Sequence, residues 1–277
     1  MITPFSPIQD TWAWQSRQIG WSLMGDPTAP VAVLLIHGFG ANTNHWRFNQ
    51  PELAKLAPTY AIDLLGFGRS DQPRARLKQE PPDPGAVHYG FDLWGLQVAD
   101  FCREVIDKPV VLIGNSIGGV VALRAAQLLG PDQCKRVVLI DCAQRLMDDK
   151  QLATQPAWMG WIRPLLKTMV SQRWLSTILF RNAARPGVIR SVLKQAYPSR
   201  QNIDDDLIDL LYQPTQRNGA AEAFRGFINL FDDHLAPQLM EDLEMPVDLI
   251  WGEKDPWEPI KEAENWKSTI PLSLIHI

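Results

Sequence analysis

Five largely apolar runs punctuate the chain, at 31–36, 59–62, 110–113, 137–140 and 247–251, broken only by Thr59 and Asp248. They are continuous rather than alternating, as expected of strands covered on both faces. Residues 12–24 alternate loosely and predict an antiparallel pair at a sheet edge. Helices are predicted at 47–56, at 91–106, and from Ser116 to about Leu129, where Gly130-Pro131 stops the run. The Pro-rich, charged segment 73–85 is poor in core residues and is expected to be a mobile loop. Between Asp141 and Pro246 the alternation gives way to helical spacing throughout. There Trp158, Trp161, Ile162, Leu165, Leu166, Met169, Trp174, Leu175 and Ile178 recur at three- and four-residue steps. Arg163, Lys167, Gln172 and Arg173 fill positions between them, and the apolar stripe is expected to pack inward. The fold class is therefore α/β: a mostly parallel, doubly covered sheet at 1–141 and 246–277, with a helical cap at 142–245.

The chemistry concentrates at one strand–helix junction, Gly114-Asn115-Ser116-Ile117-Gly118-Gly119. A Gly-x-Ser-x-Gly pattern between a buried strand and a helix forms a turn so sharp that the serine is strained and its oxygen exposed. Gly114 and Gly118 are required where the two backbones nearly touch. Read alone, the pentapeptide is also compatible with an ordinary glycine turn. Its context gives it weight.

Composition narrows the partners. The chain has 277 residues, 27 basic and 31 acidic, with the two signs interspersed; this argues against a dedicated nucleic-acid binder. Cys102, Cys134 and Cys142 have no paired or metal-type spacing and read as buried thiols in a reducing compartment. No secretory leader or membrane-spanning run is apparent, so a cytoplasmic location is expected. No metal cluster occurs, and the glycines of 114–119 lack the Lys and Ser/Thr of a phosphate loop, so neither metal nor cofactor is expected.

Together, His37-Gly38-Phe39-Gly40, Asp63 through Asp71, Gly114 through Gly119 and Gly252-Glu253-Lys254-Asp255, each at the end of a predicted strand, resemble the α/β-hydrolase fold over nearly the whole chain. The resemblance implies a serine hydrolase. Ser116 would be the nucleophile and Asp255 the acid, with Asp141 the alternative acid. The backbone N–H groups of Phe39 and Ile117 would form the oxyanion hole. Asp255 also reads as a turn aspartate before Pro256. His37 is expected to brace its loop rather than react.

The base is where the chain departs from the pattern, which puts a histidine after a last strand beginning near residue 270. His45, His88 and His234 precede the acid, and His276 falls inside the strand, short of the turn. The last six residues, 272–277, correspond to a translated sequencing adapter. The expectation is a truncated chain with last strand and helix incomplete, its base beyond Ile277 and its own activity nearly lost.

A serine at the turn favours ester, thioester, lactone or carbon–carbon bond hydrolysis over dehalogenation. Leu35 through Ala41, His45-Trp46-Arg47 and Asp63-Leu64-Leu65-Gly66-Phe67-Gly68 look like plant and cyanobacterial pheophytinase and chlorophyll-dephytylase relatives. Those cleave phytyl esters, which implies a lipophilic small-molecule ester. A non-catalytic binder of a small apolar ligand is the alternative class. Docking on a membrane surface by the amphipathic stretch 158–179 is a weaker third reading, since a cap helix facing its own core would look the same.

Overall fold

The computed structural model describes residues 7–145, 148–155, 158–197, 202–266 and 274–276. Its strands are β1 (Ile8–Trp14), β2 (Arg17–Met24), β3 (Ala32–Ile36), β4 (Thr59–Ile62), β5 (Val110–Asn115), β6 (Cys134–Ile140), β7 (Val247–Ile250) and β8 (Leu274–His276). The helices of the first half are α1 (Asn49–Leu53), α2 (Phe91–Phe101) and α3 (Ile117–Gln133). Then come α4 (Trp158–Ser171), α5 (Arg173–Ala183), α6 (Pro186–Ala196), α7 (Asp205–Tyr212) and α8 (Ala220–Ile228). The last two are α9 (Ala236–Met240) and α10 (Ile260–Trp266). None of the described helices is long and apolar enough to cross a membrane.

The strands form one sheet in the order β1-β2-β4-β3-β5-β6-β7-β8, antiparallel at β1–β2 and β2–β4 and parallel from β4 onward. β1 and β2 turn through Gln15 and Ser16, both with positive φ, the geometry of a twist-matched two-residue hairpin. Leu34, Leu35, Ile36, Ala61, Ile62 and Leu112 are fully buried, as the continuous apolar runs require. α2 ends in a π turn, Cys102–Ile106, closed by Asp107 in a left-handed conformation. α3 breaks at Gly130 (φ 72°, ψ 175°), where the sequence stops the helix, and only a short turn continues beyond it. Cys102, Cys134 and Cys142 are free and buried, and burial raises all three thiols.

The chain divides into two compact units, and the division differs from the expected cap boundaries. One unit holds residues 1–70, 91–144 and 234–277 and contains the sheet; the other holds 71–90 and 145–233 and is helical. Residues 71–90 join the helices because their polar groups are answered there. Arg173 grips Glu80 with two hydrogen bonds of 2.7 and 2.6 Å and donates to the Ala75 carbonyl at 2.6 Å. Glu222 accepts from the Ala75 N–H at 2.8 Å. Arg76 and Val87 pair through their backbones, and Ala75, Leu77, Val87 and Tyr89 are buried. The segment expected to be a mobile loop is thus a pinned ribbon. Charge and proline content concealed how well its charges are matched.

The helical unit corrects a second expectation. In α4 it is Arg163 that is buried, at 3% exposure, while Trp161 stands 88% exposed. Arg163 and Lys167, one turn apart, both reach Asp149, at 2.9 and 2.6 Å. In α5 and α8 the inward groups are Arg173, Ser176, Thr177, Glu222 and Arg225. Arg225 donates to Ser176 Oγ (2.8 Å), Thr177 Oγ1 (2.7 Å) and Glu222. The apolar stripe was expected to face inward; most of it faces outward, because the helices spend their polar faces on one another.

Candidate active site

Ser116 sits between β5 and α3 with φ 53° and ψ −123°. A non-glycine residue in that region costs about 1–3 kcal/mol and persists only where its surroundings impose it. Here they do. A Cβ on Gly114 would lie 2.1 Å from the Gly118 carbonyl oxygen, and one on Gly118 would lie 2.4 Å from that of Ile36. Strand, helix and the neighbouring β3 therefore meet backbone to backbone. The Ser116 N–H donates to the Ile140 carbonyl at 3.0 Å, and the Ser116 carbonyl accepts from Gly119 and Ala143. Asn115 ties the same turn to Ile140 through its side-chain amide. Ser116 is half-buried and its side chain makes no capping bond, so the positive end of α3 stays open beside its oxygen.

The loop after β3 lies against this turn. A Cβ on Gly38 would come within 3.2 Å of the Ser116 Cβ and 3.1 Å of Asn115 Oδ1, so the Phe39 backbone is held next to the serine. His37 is fully buried; its Nδ1 lies 2.7 Å from the Gly38 carbonyl and its Nε2 accepts from the Leu64 N–H at 3.0 Å. With both nitrogens engaged, and burial lowering its pKa, it is a neutral brace between two loops. Asp63, also buried, accepts from the Thr43 and Arg69 N–H groups, and Gly68 (φ 52°) leaves the space its carboxylate fills.

At the ends of β6 and β7 three carboxylates gather. Asp141 accepts from the Gly252 N–H at 2.7 Å; burial raises its pKa, and the neighbouring Asp255 adds to the shift. Asp255 Oδ1 accepts from the N–H groups of Trp257 (2.7 Å) and Glu258 (2.8 Å), so the turn role read from Asp-Pro is present. Its Oδ2 takes no hydrogen bond from any described residue. Glu258, absent from the sequence reading, accepts from the Gln144 N–H at 2.8 Å, and burial, with Asp255 and Asp141 nearby, pushes it up to about 7.

Among the described residues no histidine is hydrogen-bonded to Ser116, Asp141 or Asp255. Burial lowers His45 to about 4, His88 lies against the Arg76 carbonyl, and His234 pairs with Asp92 at 2.9 Å. His276 lies in β8 opposite Ile250, inside the strand as expected. The expected end of genuine sequence near Pro271 and the expected site of the base lie outside the described residues.

A doubly covered parallel sheet with a strained serine at a strand–helix turn defines a class of fold built around a nucleophile elbow. The chain belongs to the alpha/beta hydrolase fold family, whose model matches residues 31–277. It is 25% identical to the uncharacterized hydrolase YugF of Bacillus subtilis, over 88% of this chain and 80% of that protein. It is 25% identical to human (lyso)-N-acylphosphatidylethanolamine lipase, over 88% of this chain and 70% of the lipase. Chloroplastic pheophytinase of Arabidopsis thaliana is 26% identical over 87% of this chain, and the match spans about half of that protein (54%). Among solved structures, a serine hydrolase involved in carbazole degradation superposes with a TM-score of 0.71 at 18% identity, covering 98% of this chain and 90% of that one.

Proposed function

We propose that this chain is a serine hydrolase of carboxylic esters acting through Ser116. The observation that carries the reading is the strained Ser116 backbone, imposed by glycine contacts that serve no other evident purpose. In the proposed reaction Ser116 Oγ attacks the ester carbonyl carbon as a histidine takes its proton. The oxyanion is held by the N–H groups of Phe39 and Ile117. The alcohol leaves with the histidine's proton, and water then releases the acid from the serine. Asp255 is the orienting acid: its Oδ1 is fixed by two backbone donors, leaving Oδ2 for the imidazole. Asp141 spends a carboxylate oxygen on Gly252, and its burial disfavours the charged form. The family's chain order leaves the histidine to the stretch C-terminal to Asp255.

The substrate class we favour is a lipophilic ester, supported by the names of relatives that include a lipase and pheophytinase. The test assays the protein on chlorophyll a, pheophytin a and p-nitrophenyl palmitate beside p-nitrophenyl acetate. Preference for the long-chain or phytyl esters is expected; turnover of the short ester alone overturns the lipophilic assignment. In the same assay Asp255→Asn is expected to lower kcat about 10⁴-fold, as loss of an orienting acid does. Asp141→Asn should cost less than about tenfold. The reverse order makes Asp141 the acid.

A further inference from the structure

We propose that the outer face of α4–α6 docks the protein on an anionic lipid bilayer. On α4, Trp158, Trp161, Ile162, Leu165 and Met169 fall on one stripe at three- and four-residue steps, and all are exposed. Trp174, Ile178 and Leu179 on α5 and Val188 and Val192 on α6 are exposed as well. So many large apolar side chains exposed on three successive helices mark an interaction site rather than ordinary exterior. The polar face of each helix gives the reason the stripe points outward. Arg163 and Lys167 are committed to Asp149, and Arg173 to Glu80 and Glu222, so turning the apolar face inward would strand buried charge.

Charge selects the occupant. Residues 158–197 contain seven basic residues and no Asp or Glu, in a chain whose totals are 27 basic and 31 acidic. Arg163, Lys167, Arg173 and Arg190 pair with carboxylates outside this stretch, which leaves Arg181, Arg185 and Lys194 to face a ligand. The signs are therefore not interspersed here. Arg181, Arg185 and Lys194 are exposed among the apolar residues of α5 and α6. Tryptophan beside exposed Arg and Lys matches the boundary between acyl chains and anionic headgroups, where indole rings settle and basic side chains meet phosphate. This surface is independent of the chemistry assigned to Ser116.

The test is co-sedimentation of the full-length chain with phosphatidylcholine vesicles, with and without phosphatidylglycerol. Binding is expected to the phosphatidylglycerol vesicles and to weaken as salt is raised. Trp161→Asp combined with Trp174→Asp should weaken it at least about tenfold, because two anchoring rings are lost. Arg181→Glu and Arg185→Glu should each weaken it at least about fivefold. All four side chains are exposed, Arg185 at the junction of α5 and α6, so unchanged thermal unfolding separates lost docking from lost fold. No binding to phosphatidylglycerol vesicles, or equal binding to both vesicle types without response to the arginine variants, overturns the proposal. So does lipid-free dimerisation abolished by the tryptophan variants, which would assign the face to a second copy of the chain.

Discussion

In the sheet unit the interior positions hold Leu34, Leu35, Ile36, Ala61, Ile62 and Leu112, and two of the polar groups buried there, His37 and Asp63, are held by backbone N–H and C=O groups. In the helical unit the inward positions of α4, α5 and α8 hold Arg163, Arg173, Ser176, Glu222 and Arg225, while tryptophans stand outside. The first arrangement is rigid enough to hold a serine in a forbidden backbone region. The second gives specificity of pairing more than stability, since buried ion pairs roughly cancel their own desolvation. Each unit is therefore vulnerable at different residues.

The largest effect should come from the sheet unit. Gly118→Ala drives a Cβ to 2.4 Å from the Ile36 carbonyl oxygen. A loss of more than about 3 kcal/mol in urea unfolding is expected, as for a backbone clash at a tight junction. Next comes Arg225→Ala in the helical unit, which leaves Glu222 without its inner partner. It should cost about 2–4 kcal/mol, whereas replacing Arg225 and Glu222 together by apolar residues should cost much less. If the double replacement costs as much as the single one, the ion pair is a net stabiliser and the contrast between the units weakens.

The two units should also respond to pH with opposite sign. Glu258 sits at about 7 against an ordinary 4.5, so the folded sheet unit binds its proton more tightly than the unfolded chain. Stability from this site is present below about pH 4.5 and falls as pH rises towards 7; Glu258→Gln should recover about 1–2 kcal/mol at pH 8 and nothing at pH 4. Glu80, held down to about 2 chiefly by Arg173, does the reverse. Its contribution is complete above about pH 4.5 and disappears as pH falls towards 2, so amide protection in α5 and α8 should decline there first. The smallest effect is expected at Trp161→Ser, within about 0.5 kcal/mol of the parent, because an exposed side chain has little packing to lose.

The sheet was legible in the sequence because strands covered on both faces leave continuous apolar runs. The 59–62 run matches β4 residue for residue, and Gly130-Pro131 marks the break in α3. The junction at Ser116 was legible because a backbone contact as close as that between Gly114 and Gly118 admits only glycine. The helical unit was read as helical correctly but turned the wrong way round. Amphipathic spacing fixes that two faces exist and not which faces inward; that depends on partners such as Asp149 and Glu80, distant in sequence. The ribbon at 71–90 was missed for the same reason, since its order comes from Arg173 and Glu222. Glu258 was overlooked because its pKa reflects burial, which sequence spacing does not carry.

Whether Ser116 is an activated nucleophile is decided by treating the folded protein with a fluorophosphonate probe. Peptide mass spectrometry should find one adduct, on Ser116, absent from Ser116→Ala and slowed in Asp255→Asn. A folded protein that takes up no probe, or takes it up at another serine, contradicts the account.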